Sequence, residues 1–287
     1  MSSRAELITP ALLREWRLPA PGTSKYDRGQ VLVIGGARKT PGAALLAGVS
    51  ALRVGAGRLT LAVAESTAAA LAVAVPESGV IGLPETESGA VRGDAAGRLG
   101  SEASTDAVLV GAGLDDPDEA AELLRNLIPL FEDDVRVHLD ALALGVLPGL
   151  PDVQKAFAGR LLLTPNQSEA ERLLDREVRD LDDDVAEIAE RYGAVVTCMN
   201  SIAAPDGSLW NSTSGFGGLA TSGSGDVLAG TILGVSARGA TLEQAACWGT
   251  YLHAAAGDRL AARVGPLGFL ARELADELPA LLVELSV

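Results

Sequence analysis

The chain has 287 residues, of which 48% are hydrophobic and 21% charged, with 33 glycines and 14 prolines. That apolar fraction can bury enough surface to offset ordering entropy, which excludes disorder on the scale of the whole chain. Twenty-three basic against 38 acidic side chains leave a formal charge of −15, so nucleic acid or an anionic membrane would be repelled, and an anionic ligand must be held locally by backbone amides and a few cations.

The two cysteines, Cys198 and Cys247, are too few for a disulfide framework or a zinc cluster. The first sixteen residues are charged and lack the apolar core of a signal peptide. Arg53, Glu65 and Arg238 interrupt the most apolar windows, none of which reaches the roughly 18 residues of a membrane helix. These features predict a soluble, reduced, cytoplasmic protein.

In chain order, Thr9-Pro10 starts a short helix, and residues 1–29 otherwise form a lead-in rich in Pro and Gly. Val31 to Ile34 reads as a buried strand closed by Gly35-Gly36, and Pro41-Gly42 opens a helix to about Val54, stopped by Gly55 and Gly57. Arg58 to Val63 is a second strand. Ala107 to Val110 is a third, ending at Gly111 to Gly113, and Asp115 to Asp118 starts a helix to about Phe131. Val135 to Leu139 ends at Asp140, Leu161 to Thr164 precedes a helix through Leu174, and Val195 to Thr197 is a further strand before a hairpin turned at Pro205 to Gly207. A glycine-rich loop from Gly215 then feeds a helix from about Gly225 to Ala237, and two more helices fill the chain to Leu285.

Strands alternating with helices predict one α/β domain over residues 1–287, a three-layer αβα sandwich on a mostly parallel sheet. Ligands bind such sheets at the carboxyl ends of the strands. That rule gathers Gly35-Gly36, Gly111 to Gly113, Asp140, Thr164 to Asn166 and the loop Gly215 to Asp226 on one rim.

The loop is the strongest local signal. Glycines opening a helix present unpaired N–H groups at the positive end of its dipole, which suits a phosphoryl group. An aspartate at the junction, Asp226, can take a proton from a hydroxyl while the amides hold phosphoryl oxygens. The plain alternative is a flexible turn with Asp226 as helix cap. No Gly-Lys-Ser/Thr follows a glycine run, and Gly55 to Gly57 lies between a helix and a strand, so neither a Walker A loop nor a dinucleotide fingerprint is present.

The segment Ala220 to Asp226 resembles the anion-hole motif of the ribokinase-like superfamily. The stretches Lys25 to Ala47 and Ala51 to Gly57 are similar to the opening of the ADP/ATP-dependent NAD(P)H-hydrate dehydratases. Leu109 to Leu114, His138 to Leu144, Leu162 to Pro165 and Gly218 to Gly230 follow in that family's order. The resemblance implies a ribokinase-like fold without a lid domain and a Mg²⁺-assisted repair reaction. In it, ADP or ATP phosphorylates the hydroxyl of hydrated NADH or NADPH, and loss of phosphate restores the cofactor. By matching motif, Asp226 is the base, and Ala43, Gly113, Asn166 and Asp226 contact the hydrate. Gly223, Ser224, Gly225 and the segment Cys198, Met199, Asn200 and Ser201 face the nucleotide, while Asn166, Glu169 and Asp140 approach the metal through water. The resemblance also implies a homo-oligomer, with a tetramer as the candidate assembly, and a separate epimerase in the pathway.

Three departures from the family pattern stand out. The family has His after Thr-Pro where this chain has Asn166, and Lys-Gly where it has Cys198-Met199. The loop reads Gly215 to Thr221 without the usual Asn-Pro. Loss of a cation near the phosphates would weaken binding by about 1.5–3 kcal/mol. Asn166 to Glu169 also resembles the segment that holds hydrated Mg²⁺ in sugar and vitamin kinases, and it equally fits a helix capping box. A small-molecule kinase and a silent nucleotide-binding paralogue therefore stand beside the dehydratase. His138, His253 and Cys198 read as packing residues, and Asp180 to Asp184 as a solvated helix start. Trp210 and Phe216 flank the loop as stacking or packing candidates.

Overall fold

A computed structural model describes residues 5–215 and 218–286. Its centre is a ten-stranded sheet with strand order β1-β10-β9-β8-β7-β6-β5-β2-β3-β4. The strands are β1 (Glu6–Ile8), β2 (Gln30–Ile34), β3 (Arg58–Ala64), β4 (Ser78–Leu83), β5 (Ala107–Val110), β6 (Arg136–Leu139), β7 (Leu161–Leu163), β8 (Ala194–Cys198), β9 (Ser201–Ala203) and β10 (Leu209–Ser212). All neighbours pair in parallel except β8 with β9 and β9 with β10.

The central strands are apolar throughout because both faces are covered. Along β2, Leu32 and Ile34 enter one core while Val31 and Val33 enter another on the opposite face, as the two-residue strand period requires. The first core is packed by α4 (Pro117–Leu127), α5 (Leu142–Val146), α6 (Pro151–Phe157), α7 (Gln167–Leu174) and α8 (Leu181–Tyr192). The other face carries α2 (Pro41–Arg53), α9 (Ser224–Ala237), α10 (Leu242–Arg263) and α11 (Ala271–Ser286). The result is the expected three-layer sandwich.

Helices α2 and α9 approach so closely that a Cβ on Gly230 would lie 2.0 Å from the carbonyl oxygen of Ala47. Thr9 caps α1 (Pro10–Glu15) by accepting the Leu12 N–H at 3.2 Å.

The strand order sets where the site falls. From β2 the chain steps through β3 to β4 on one side, then returns to place β5 on the other side of β2. The loops after β2 and β5 thus diverge at a topological switch point, the crevice where such sheets take ligands.

Three elements differ from the sequence expectation. Strand β1 lies inside the lead-in, and α3 (Glu65–Ala74) and β4 follow β3 directly. Residues 76–100 hold β4 as the sheet's edge, one bridge between Glu85 and Val91, and the start of a 3₁₀ segment at Gly93–Ala103.

Candidate active site

The switch point is stitched by backbone. Gly36 N–H donates to Ala112 O and Ala37 N–H to Gly113 O, both at 2.8 Å, and the Thr40 hydroxyl donates to Gly113 O at 2.7 Å. Gly113 has φ of +73°, and a Cβ there would sit 2.4 Å from Thr40 O and 3.0 Å from the Ala43 Cβ. Only glycine fits this position. Ala43 and Gly113, far apart in sequence, therefore meet at the mouth of the crevice.

Asp140 follows β6 and is buried, accepting a 2.7 Å hydrogen bond from the Thr164 hydroxyl. Burial pushes its carboxyl up to about 8 against that hydrogen bond, and the Asp226 and Glu169 carboxylates add to the rise. Three acidic groups, one after β6 and one each in the first turns of α7 and α9, thus lie within one another's field.

The glycine-rich loop completes the rim. Gly223 caps α9 at φ +88°, and a Cβ on it would lie 2.6 Å from Leu46 Cδ1, one helical turn beyond Ala43. Ser224 N–H donates to Thr221 O and Val227 N–H to Gly223 O, while the amides of Gly225 and Asp226 find no acceptor among the described residues. Gly225 is exposed, and nothing lies within 4 Å of a Cβ built on it, so the first turn of α9 is open on that side. Burial pushes the Asp226 carboxyl up to about 6. A base with this value is still mostly ionised at pH 7.

Helix α10 holds both ends of the loop. Its His253 is buried, with Nε2 3.0 Å from the Ser224 hydroxyl, and its Asp258 accepts the Gly215 N–H at 2.9 Å. Burial lowers His253 to about 4, so the ring is neutral. The sequence reading assigned His253 to packing and passed over Asp258. The available signal was two polar residues bracketing an alanine-rich helical stretch, residues 254–257.

Asn166 and Glu169 form a complete capping box on α7. Asn166 Oδ1 accepts the Glu169 N–H at 3.0 Å and the Ser168 hydroxyl at 2.8 Å, and Glu169 Oε2 accepts the Asn166 N–H at 2.9 Å. Among the described residues no three His, Cys, Asp or Glu side chains are grouped to hold an ion directly. The converging carboxylates are hard oxygen donors and fit a cation that keeps its waters, as Mg²⁺ does.

Cys198 and Ser201 pair across the β8–β9 ladder and are wholly buried, with the Cys198 thiol pushed up to about 12 by burial. Their side chains face the interior, whereas Met199, at φ +55°, and Asn200 in the turn between them are exposed. Trp210 packs on Trp16 with ring centroids 6.0 Å apart and donates to Glu6, which removes it as a stacking platform. Phe216 lies outside the described residues. Asp184 is not solvated as expected. It is buried, ion-paired to Arg176 at 2.6 Å, and accepts the Arg179 and Asp180 N–H groups.

The sheet order, with α9 starting at the switch-point rim, defines a ribokinase-like fold. The same fold occurs in a ribokinase-like superfamily protein of Enterococcus faecalis, 22% identical, with TM-score 0.80 over 98% of this chain and 96% of that one. Residues 31–280 match the family described as NAD(P)H-hydrate dehydratase, and the chain belongs to that family. It is 40% identical to the ADP-dependent (S)-NAD(P)H-hydrate dehydratase of Xanthomonas campestris pv. campestris, over 97% of this chain and 96% of the relative. The ADP/ATP-dependent NAD(P)H-hydrate dehydratase of Bacillus subtilis, co-crystallised with ATP/Mg²⁺, superimposes with TM-score 0.79 at 25% identity, covering 98% of this chain and 99% of that one. The chain spans about half the length of the bifunctional NAD(P)H-hydrate repair enzymes it also matches, 54% for that of Moorella thermoacetica.

Proposed function

We propose that this chain carries out the nucleotide-dependent dehydration of hydrated NADH or NADPH, with ADP as the phosphoryl donor and ATP able to replace it. The observation that carries the reading is Asp226, a carboxyl with a pKa of about 6 next to the unaccepted Gly225 amide at the head of α9. Asp226 takes the proton of the hydrate's ring hydroxyl, and that oxygen attacks the terminal phosphorus of the nucleotide. The bond from that phosphorus to its bridging oxygen breaks, leaving AMP from ADP. The Gly225 and Asp226 amides, with Gly223 and Ser224 shaping the loop, hold the charge on the transferring group. The ring carbon–oxygen bond then breaks, phosphate leaves with the electron pair, and a proton lost from the adjacent carbon restores the double bond.

Ala43, Gly113 and Asn166 border the hydrate, while Met199 and Asn200 border the nucleotide. Asp140, Glu169 and Asn166 would hold a water-clad Mg²⁺, which supplies charge neutralisation on the polyphosphate. The same reading takes residues 1–287 as one domain, active as a homo-oligomer in the cytoplasm. It is consistent with this reading that no helix among the described residues is long and apolar enough to cross a membrane.

Phosphorus NMR of NADH hydrate, ADP and Mg²⁺ with the protein tests the reaction. The expected result is inorganic phosphate and AMP appearing in equal amounts with NADH. In parallel samples with ATP and a panel of sugar and vitamin alcohols, a stable phosphate ester without NADH recovery would identify a kinase, and bound nucleotide without product in any sample would identify a silent paralogue.

A further inference from the structure

A cavity of about 660 Å³ opens at the end of the molecule away from the carboxylates. It lies between the lead-in after α1, the carboxyl-terminal ends of α2 and α9, and the last turns of α11. Helix α9 runs from Ser224 at the active rim to Arg238 at this cavity, a span of about 21 Å at 1.5 Å per residue. None of the cavity's lining residues belongs to the rim described above.

The charge at this cavity opposes that of the chain. Five arginines line it, Arg14, Arg17, Arg28, Arg53 and Arg238, in a protein of net charge −15. Arg53 pairs with Asp276 at 2.8 Å. The other four form no ion pair with a carboxylate among the described residues. Their hydrogen bonds go to backbone carbonyls: Arg14 donates to Glu284 O, Arg17 to Arg14 O, Arg28 to Gly22 O and Arg238 to Val54 O. Burial and the Arg28 charge lower Arg238 from its usual value, which places two guanidinium groups within each other's field without a counter-charge. Arginine offers a planar fork of donors matched to phosphate oxygens, and each of these forks retains donors.

Beneath the arginines the walls are apolar. Val54, Trp248, Leu282 and Leu285 line the cavity, and Trp248 spends its one donor on Trp16 O at 2.9 Å. Polar recognition is therefore confined to the rim and apolar contact to the floor. The volume falls in the range of small-molecule sites.

We propose that this arginine-rimmed cavity binds a phosphate-bearing small molecule with an apolar body, at a site separate from the one that carries the reaction. The phosphate sits among Arg17, Arg28 and Arg238, and the apolar body lies over Trp248 and Leu282. The proposal does not depend on the dehydratase reading, because the two sites share no residue.

The test is calorimetric titration of the full chain, saturated with ADP and Mg²⁺ to fill the reaction site, using 1-naphthyl phosphate and inorganic phosphate as probes. One 1-naphthyl phosphate should bind per chain, at least tenfold tighter than inorganic phosphate. The Arg17→Gln/Arg28→Gln variant alters two exposed side chains outside the reaction site. It should bind the naphthyl probe at least tenfold more weakly while its ADP affinity is unchanged. Equal affinity of the variant and the parent protein, or no binding to the parent, would overturn the proposal. A shift of the variant to a smaller assembly in sedimentation, with no probe binding to the parent, would overturn it in favour of a contact between copies of this chain.

Discussion

The Ser224 hydroxyl and Nε2 of His253 lie 3.0 Å apart, both groups buried, so helix α10 fixes the first residue of the helix that carries the proposed base. Asp226 is two residues further on, and its placement depends on that anchor. His253→Ala and Ser224→Ala should each lower kcat by about ten- to a hundredfold, since a misplaced reacting group costs rate steeply. The double substitution should cost little more than either single one, because both remove the same contact. The chains should remain folded by circular dichroism. Full additivity of the two losses would show that the hydrogen bond does not position the loop.

Asp226→Asn removes the proton acceptor and should lower kcat by about 10²- to 10⁴-fold with nucleotide binding retained. In the parent protein the carboxyl titrates at about 6 and must be ionised to act. The rate kcat/KM should therefore fall as pH drops through 6, tenfold per unit below it. A profile flat from pH 7 to pH 5 would remove Asp226 from the role of base.

Asp140 should reveal itself through stability. Its folded carboxyl, pushed up to about 8 by burial, binds a proton more tightly than the same group in the unfolded chain, near 4. Its contribution is therefore fully present below pH 4 and is lost progressively as pH rises through 8. In metal-free buffer Asp140→Asn should be more stable than the parent at pH 8, by about one to a few kcal/mol, with the advantage shrinking toward pH 4. Urea denaturation at both pH values measures the difference. The variant should also be less active, since the site loses a carboxylate.

Gly230 marks the tightest contact between α2 and α9. A Cβ there would meet the Ala47 carbonyl oxygen at 2.0 Å, and backbone cannot yield as a flexible side chain can. Gly230→Ala should cost about 1–3 kcal/mol in thermal or chemical denaturation. It should also lower activity, because pushing α9 away from α2 separates Asp226 from Ala43.

The strands β2, β3, β5, β6, β7 and β8 were legible because buried parallel strands are largely apolar runs, with β2, β5 and β6 closed by Gly35, Gly111 and Asp140. The hairpin turned at Pro205 to Gly207 was legible from its turn residues. Strand β1 was not. It is three residues long, and what makes it a strand is parallel pairing with Trp210 to Ser212, some two hundred residues away. The meeting of Ala43 with Gly113 followed from family motif, whereas its cause, the strand-order reversal at β2, is a property of the assembled sheet. His253 and Asp258 were missed for the same reason. A buried polar side chain in an alanine-rich helix gives no local sign of which loop it will hold. The Cys198 segment shows the converse, because its motif position suggested nucleotide contact while Cys198 ends a strand buried on both faces and Met199, in the turn after it, is exposed.

The central claim is tested most directly by the near-ultraviolet absorbance of reduced nicotinamide, followed in NADH hydrate with the protein, Mg²⁺ and ADP. The expected result is a nucleotide-dependent rise that continues to completion and is abolished in Asp226→Asn. No rise with the parent protein, under conditions where calorimetry shows ADP bound, would contradict the dehydratase reading.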